Sequence, residues 1–69
     1  MSQRMQILSY LQEGNTITPL EALDMFGCFR LSGRIHELRA LEYPIKTKMV
    51  YMPGRDGIMK QVAQYRLEA

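Results

Sequence analysis

Between Met5 and Leu38 apolar side chains recur at intervals of three and four; from Ile45 onward many fall at every second position. The first spacing belongs to helices and the second to strands. Met5, Leu8 and Leu11, with Ile7 beside them, predict a helix over about 3–13, capped by Ser2 and closed by Gly14. Asn15-Thr16-Ile17 predicts a short extended link, with Ile17 as its apolar anchor and a candidate for one isolated strand pairing. Thr18-Pro19-Leu20-Glu21 is the strongest local signal in the chain. Thr18 can accept a first-turn N–H, Pro19 fits the first helical position, and Glu21 can reach back to the cap. Helix 2 is therefore expected over about 19–26, with Leu20, Leu23 and either Phe26 or Ala22 facing inward. Gly27-Cys28 follows as a tight turn. Leu31, Ile35 and Leu38 form a core stripe and predict helix 3 over about 29–41, roughly 20 Å long at the usual rise. Pro44 forbids its continuation.

Past Pro44 the alternation takes over. Ile45, Thr47, Met49 and Tyr51 alternate with Lys46, Lys48, Val50 and Met52. Pro53-Gly54-Arg55-Asp56-Gly57 is dense turn chemistry. Val62 to Leu67 alternates again, with Ala63, Tyr65 and Leu67 facing the core. These segments predict a hairpin over about 45–67. Three helices, the last two joined by a glycine turn, followed by a β-hairpin predict an α+β fold with the element order of a winged helix-turn-helix.

Composition narrows the function. Sixty-nine residues leave room for one domain, expected over 1–69, and one small core. The 46% apolar and 23% charged shares are those of a folded domain, not a disordered one. No apolar run is long enough to span a membrane, and the start of the chain lacks the apolar stretch of a signal peptide, so a cytoplasmic location is expected. Cys28, the single cysteine, can form neither an internal disulfide nor a structural metal site unaided, and reads as a small buried hydrophobe. His36 has no cluster of ligands around it in the sequence. Cys28 and His36 have the residue types of a nucleophile and its base, but the turn that carries Cys28 offers no oxyanion pocket. No enzyme, cofactor or metal is expected. Met25, Met49, Met52 and Met59 read as core filling, with Met52 and Met59 beside the turn also placed for an exposed contact patch or a minor-groove wedge. Tyr10, Tyr43, Tyr51 and Tyr65 are expected to pack with their hydroxyls at the surface.

Nine Lys/Arg stand against seven Asp/Glu, and they are unevenly placed. Residues 1–29 hold Arg4 against Glu13, Glu21 and Asp24, a net −2. Residues 30–69 hold Arg30, Arg34, Arg39, Lys46, Lys48, Arg55, Lys60 and Arg66 against Glu37, Glu42, Asp56 and Glu68, a net +4. The basic half points to a polyanion, and the plainer reading is an ordinary solvated surface. Arg30, Gly33, Arg34 and Glu37 share one face of the predicted helix 3, flanked by Ser32. Arg30 and Arg34 can grip guanine or phosphate, or stay solvated with Arg34 paired to Glu37. Glu37 can accept from cytosine or restrain Arg34. Gly33 either lets the helix approach DNA closely or packs against helix 2, and Ser32 is a phosphate donor. Arg55 at the hairpin tip, with Lys46, Lys48 and Lys60 along the arms, reads as a set of phosphate contacts or as charges that keep an exposed edge from pairing.

The residues that carry a resemblance are Ile17-Thr18-Pro19-Leu20-Glu21-Ala22-Leu23, Phe26-Gly27-Cys28-Phe29-Arg30-Leu31, Arg34-Ile35-His36-Glu37-Leu38-Arg39 and Tyr43-Pro44-Ile45. They resemble a family of small winged helix-turn-helix domains of bacteriophages and prophages, over about residues 4–67 and most densely over 17–45. The resemblance implies the winged fold and a DNA-binding role that is assigned to that family largely by fold. Glu42 stands where such domains often carry glycine, which predicts a different close to helix 3, and the Pro53–Gly57 turn is longer than usual. Two functions follow. The first is a double-stranded DNA-binding transcriptional regulator, acting as a homodimer or on tandem sites because one small module offers little interface. The second is a protein-interaction module acting on a host or phage protein, which the modest net charge of +2 favours.

Overall fold

The computed structural model describes residues 2–68, so Met1 and Ala69 of the expected domain lie outside the described residues. Three helices, α1 (Gln3–Gln12), α2 (Pro19–Phe26) and α3 (Leu31–Ala40), precede an antiparallel hairpin of β1 (Ile45–Pro53) and β2 (Met59–Leu67). This is the α+β order of a winged helix-turn-helix. Ile7, Leu8 and Leu11 of α1, Ala22 of α2 and Leu31, Ile35 and Leu38 of α3 pack with Ile17, Cys28, Ile45 and Tyr65 into one core. The expected pairing of Ile17 forms. Its N–H donates to the Tyr65 carbonyl at 2.9 Å, and the Tyr65 N–H donates back to the Ile17 carbonyl at 2.8 Å. That bridge ties the link before α2 to the inner half of the hairpin.

The caps on α2 form as the sequence predicts. The Thr18 hydroxyl accepts the Glu21 N–H at 3.3 Å, and the Glu21 carboxylate accepts the Thr18 N–H at 2.9 Å. Gly27 closes the helix in the left-handed conformation (φ 65°), its N–H donating to the Leu23 carbonyl. The rotation of α2 differs from expectation. Ala22 is fully buried and Phe26 packs edge-on against Tyr10 with ring centroids 5.7 Å apart, whereas Leu20 and Leu23 are exposed. An eight-residue helix covers a narrow stripe, and the Ile17 bridge and Gly27 cap fix which stripe faces in. Met5 is likewise exposed, because Ile7 joins Leu8 and Leu11 inside and draws the centre of the α1 stripe away from it.

Helix 3 is shorter than predicted. It starts at Leu31, with Arg30 as its N-cap and Phe29 outside it, and its ten residues span about 15 Å. At the other end the expected departure does not occur. Glu42 takes the left-handed conformation (φ 71°) that favours glycine, donating its N–H to the Arg39 carbonyl while Tyr43 donates to that of Leu38. These two bonds are the six-to-one and five-to-two pair of a Schellman close. The hairpin turn occupies residues 54–58. Gly54 N–H donates to the Ile58 carbonyl at 2.8 Å, Gly57 N–H to that of Gly54 at 3.0 Å, and Asp56 Oδ1 accepts the Ile58 N–H.

Candidate nucleic-acid interface

With Leu31, Ile35 and Leu38 buried, α3 turns Ser32, Gly33, His36 and Ala40 to solvent. Gly33 has no neighbour within 4 Å of where a Cβ would stand, so it does not serve close packing against α2. Most of these outward side chains are short, which leaves the helix backbone approachable. Arg30, at the head of α3, is exposed and makes no side-chain hydrogen bond or ion pair among the described residues.

Arg34 is held. Its Nη1 donates to Glu37 Oε1 at 2.9 Å and its Nε donates to Gln3 Oε1 at 3.1 Å. Gln3 in turn donates Nε2 to the Phe26 carbonyl at 3.1 Å. One chain of bonds therefore joins the start of α1, the end of α2 and the middle of α3. Both Arg34 and Glu37 side chains are 40% exposed, so the pair adds little stability and its effect is orientation. Arg4 lies beside them on a shallow pocket shared with Gln3, Arg34 and Glu37, and its Nε is buried without a partner among the described residues.

A second arginine joins α3 to the hairpin. Arg39 donates Nε and Nη2 to the Ile45 carbonyl at 3.1 and 2.9 Å, and Nη2 to Thr47 Oγ1 at 2.7 Å. Its guanidinium also sits 5.9 Å from the centroid of the Tyr65 ring, within cation–π range. The register pairs Lys46 with Arg66, Thr47 with Tyr65, Lys48 with Gln64 and Met52 with Lys60. Side chains alternate between faces, so Thr47 and Tyr65 share the face that α3 grips while Lys46, Lys48, Lys60 and Arg66 share the other. Lys46 and Arg66 stand directly opposite one another, a like-charge pairing that Arg66 eases by bonding Glu68 at 3.1 Å.

The nine residues singled out in the sequence therefore fall into groups. Arg30, Ser32, Gly33, Arg34 and Glu37 lie on α3 or at its head; Lys46, Lys48 and Lys60 lie on one hairpin face; Arg55 is exposed in the turn. Of these nine, Lys60 lines a groove between α2 and the wing, and two further lining residues, Phe29 and Gly54, immediately precede Arg30 and Arg55 in the chain. Lys46 and Lys48 are turned away from the face that meets α3. Sequence reasoning missed His36 as part of the outward face of α3, Arg39 as the joint to the hairpin and Arg4 as a neighbour of Arg34. His36 carried a local signal, since it lies one residue off the buried Ile35. Arg39 and Arg4 did not, because their surroundings come from elements distant in the chain.

None of the curated proteins matches the chain. The family model described as a winged helix-turn-helix domain matches residues 2–69. The chain belongs to the winged helix-turn-helix domain family.

Proposed function

We propose that the protein is a sequence-specific binder of duplex DNA, a transcriptional regulator of the phage or prophage kind acting in the bacterial cytoplasm. Family membership points to DNA binding, and no described helix is long and apolar enough to cross a membrane. The observation that carries the reading is the placement of unpaired arginines. Arg30 at the head of α3 and Arg55 in the wing turn each follow in the chain a residue that lines one groove, Phe29 and Gly54, and neither arginine has an ion-pair partner among the described residues. In this reading α3 enters the major groove with Ser32, Gly33 and His36 against the bases, and Arg30 contacts guanine or phosphate. Arg55, Lys60, Lys46 and Lys48 hold phosphates. Arg34 reads a base only by leaving Glu37; in place, it orients α3. One module offers a small interface, so tight binding uses two copies on adjacent half-sites.

Selection of bound duplexes from a random pool, followed by titration against salt, tests this. About four neutralised phosphates lower affinity roughly tenfold for each doubling of salt. Arg30→Ala relaxes preference at one position, whereas Arg55→Ala weakens all sequences alike. No enriched duplex, or an affinity indifferent to salt, overturns the reading. The apolar character of the groove beneath the wing favours a second reading, a protein-interaction module that acts on a host or phage protein.

A further inference from the structure

The groove between α2 and the outer half of the wing has a volume of about 380 Å³. Leu20 and Leu23 of α2, Phe29 of the turn, Met52 and Val62 of the wing line it, together with Lys60. Single exposed apolar residues need no explanation, but here four converge on one concavity with the half-buried Val62. The volume alone would suit a small molecule. Leu20 and Phe29 argue for something larger, because they are 70% and 87% exposed and stand mostly outside the cavity they border. An occupant that covers them extends beyond the groove.

The charge around the groove gives the occupant its sign. Lys60 lines it, and Arg30 and Arg55 adjoin lining residues. None of the three has an ion-pair partner among the described residues. No carboxylate lines the groove; of those beside it, Glu21 accepts the Thr18 N–H and Asp56, close to Gly54, accepts the Ile58 N–H. We infer that the groove receives an acidic amphipathic segment of a partner protein, with apolar side chains one helical turn apart against Leu20, Phe29 and Met52, and carboxylates meeting Lys60, Arg30 and Arg55. This inference rests on the second reading above and not on duplex binding. The segment and a duplex would share cations but not the apolar floor, so the partner would act as a competitor of DNA.

The test is a selection of displayed random peptides of about 16 residues, some four helical turns, against the intact protein without nucleic acid. Enriched peptides are then titrated by fluorescence anisotropy. The expected sequences place apolar residues at three- and four-residue spacing with Asp or Glu beside them. Phe29→Ala and Leu20→Ser each weaken binding by about tenfold, and Lys60→Glu weakens it similarly. Leu20→Ser leaves duplex affinity within about twofold, which separates failure of this inference from failure of the DNA reading. Thermal melts verify that each variant is folded, and Lys60→Gln substitutes if Lys60→Glu is not. Absence of enriched peptides, enrichment of basic ones, or affinity unchanged by Phe29→Ala and Leu20→Ser overturns the inference. Sedimentation that shows a dimer dissolved by Phe29→Ala assigns the groove to a second copy instead, and overturns it too.

Discussion

The two helices of the helix-turn-helix are placed by opposite means. Helix α2 carries a reciprocal capping box, proline at its first turn and a left-handed glycine at its end, yet buries one side chain fully, Ala22. Helix α3 has no side-chain cap at Arg30 and closes through a strained Glu42, yet buries Leu31, Ile35 and Leu38. Local hydrogen bonds define the first and tertiary burial defines the second. The difference teaches where surface is left for function. A helix fixed by its ends need not hide its flank, so Leu20 and Leu23 remain open on the groove. A helix fixed by one stripe keeps its other side free for a ligand.

Substitutions can break this contrast. Leu38→Ala is expected to cost about 3 kcal/mol in urea unfolding, by loss of transfer energy and the cavity left behind. A cost below that of the caps on α2 would overturn the ranking. Thr18→Ala is expected to cost about 1 kcal/mol, and Thr18→Ser to recover most of it by restoring the hydroxyl. Arg30→Ala, at a cap whose side chain makes no hydrogen bond, leaves unfolding unchanged. Glu42→Gly is expected to stabilise by roughly 0.5–1 kcal/mol, since glycine adopts the left-handed close without strain. Gly33→Ala sharpens the comparison further. It gains about 0.5 kcal/mol of stability because the new methyl meets open space, while lowering duplex affinity if that face approaches bases. Both measurements on one variant separate folding from recognition. Leu20→Ser, on the open flank of α2, stays within about 0.5 kcal/mol of the parent.

Much of the fold was legible because its signals are local. The capping box spans Thr18 to Glu21, the hairpin turn follows from its glycines, and the alternation from Ile45 sets the two wing faces. The Leu31, Ile35 and Leu38 stripe named the buried side of α3 correctly. Local spacing placed Arg30 inside α3, whereas the chain enters the helix only at Leu31, and Glu42 looked like a departure although its backbone takes the glycine conformation.

The sequence by itself determined the order of elements, their turns and the basic bias of the second half, because caps, glycine turns and apolar periods each act within a few residues. Only the tertiary structure decided the rotation of α2, the holding of Arg34 through Gln3, the clamp of Arg39 on Ile45 and Thr47, and the groove that joins Phe29 to the wing tip. The physical reason is range. Gln3 meets Arg34 across 31 positions of chain, and which stripe of a short helix is buried depends on the surfaces that meet it.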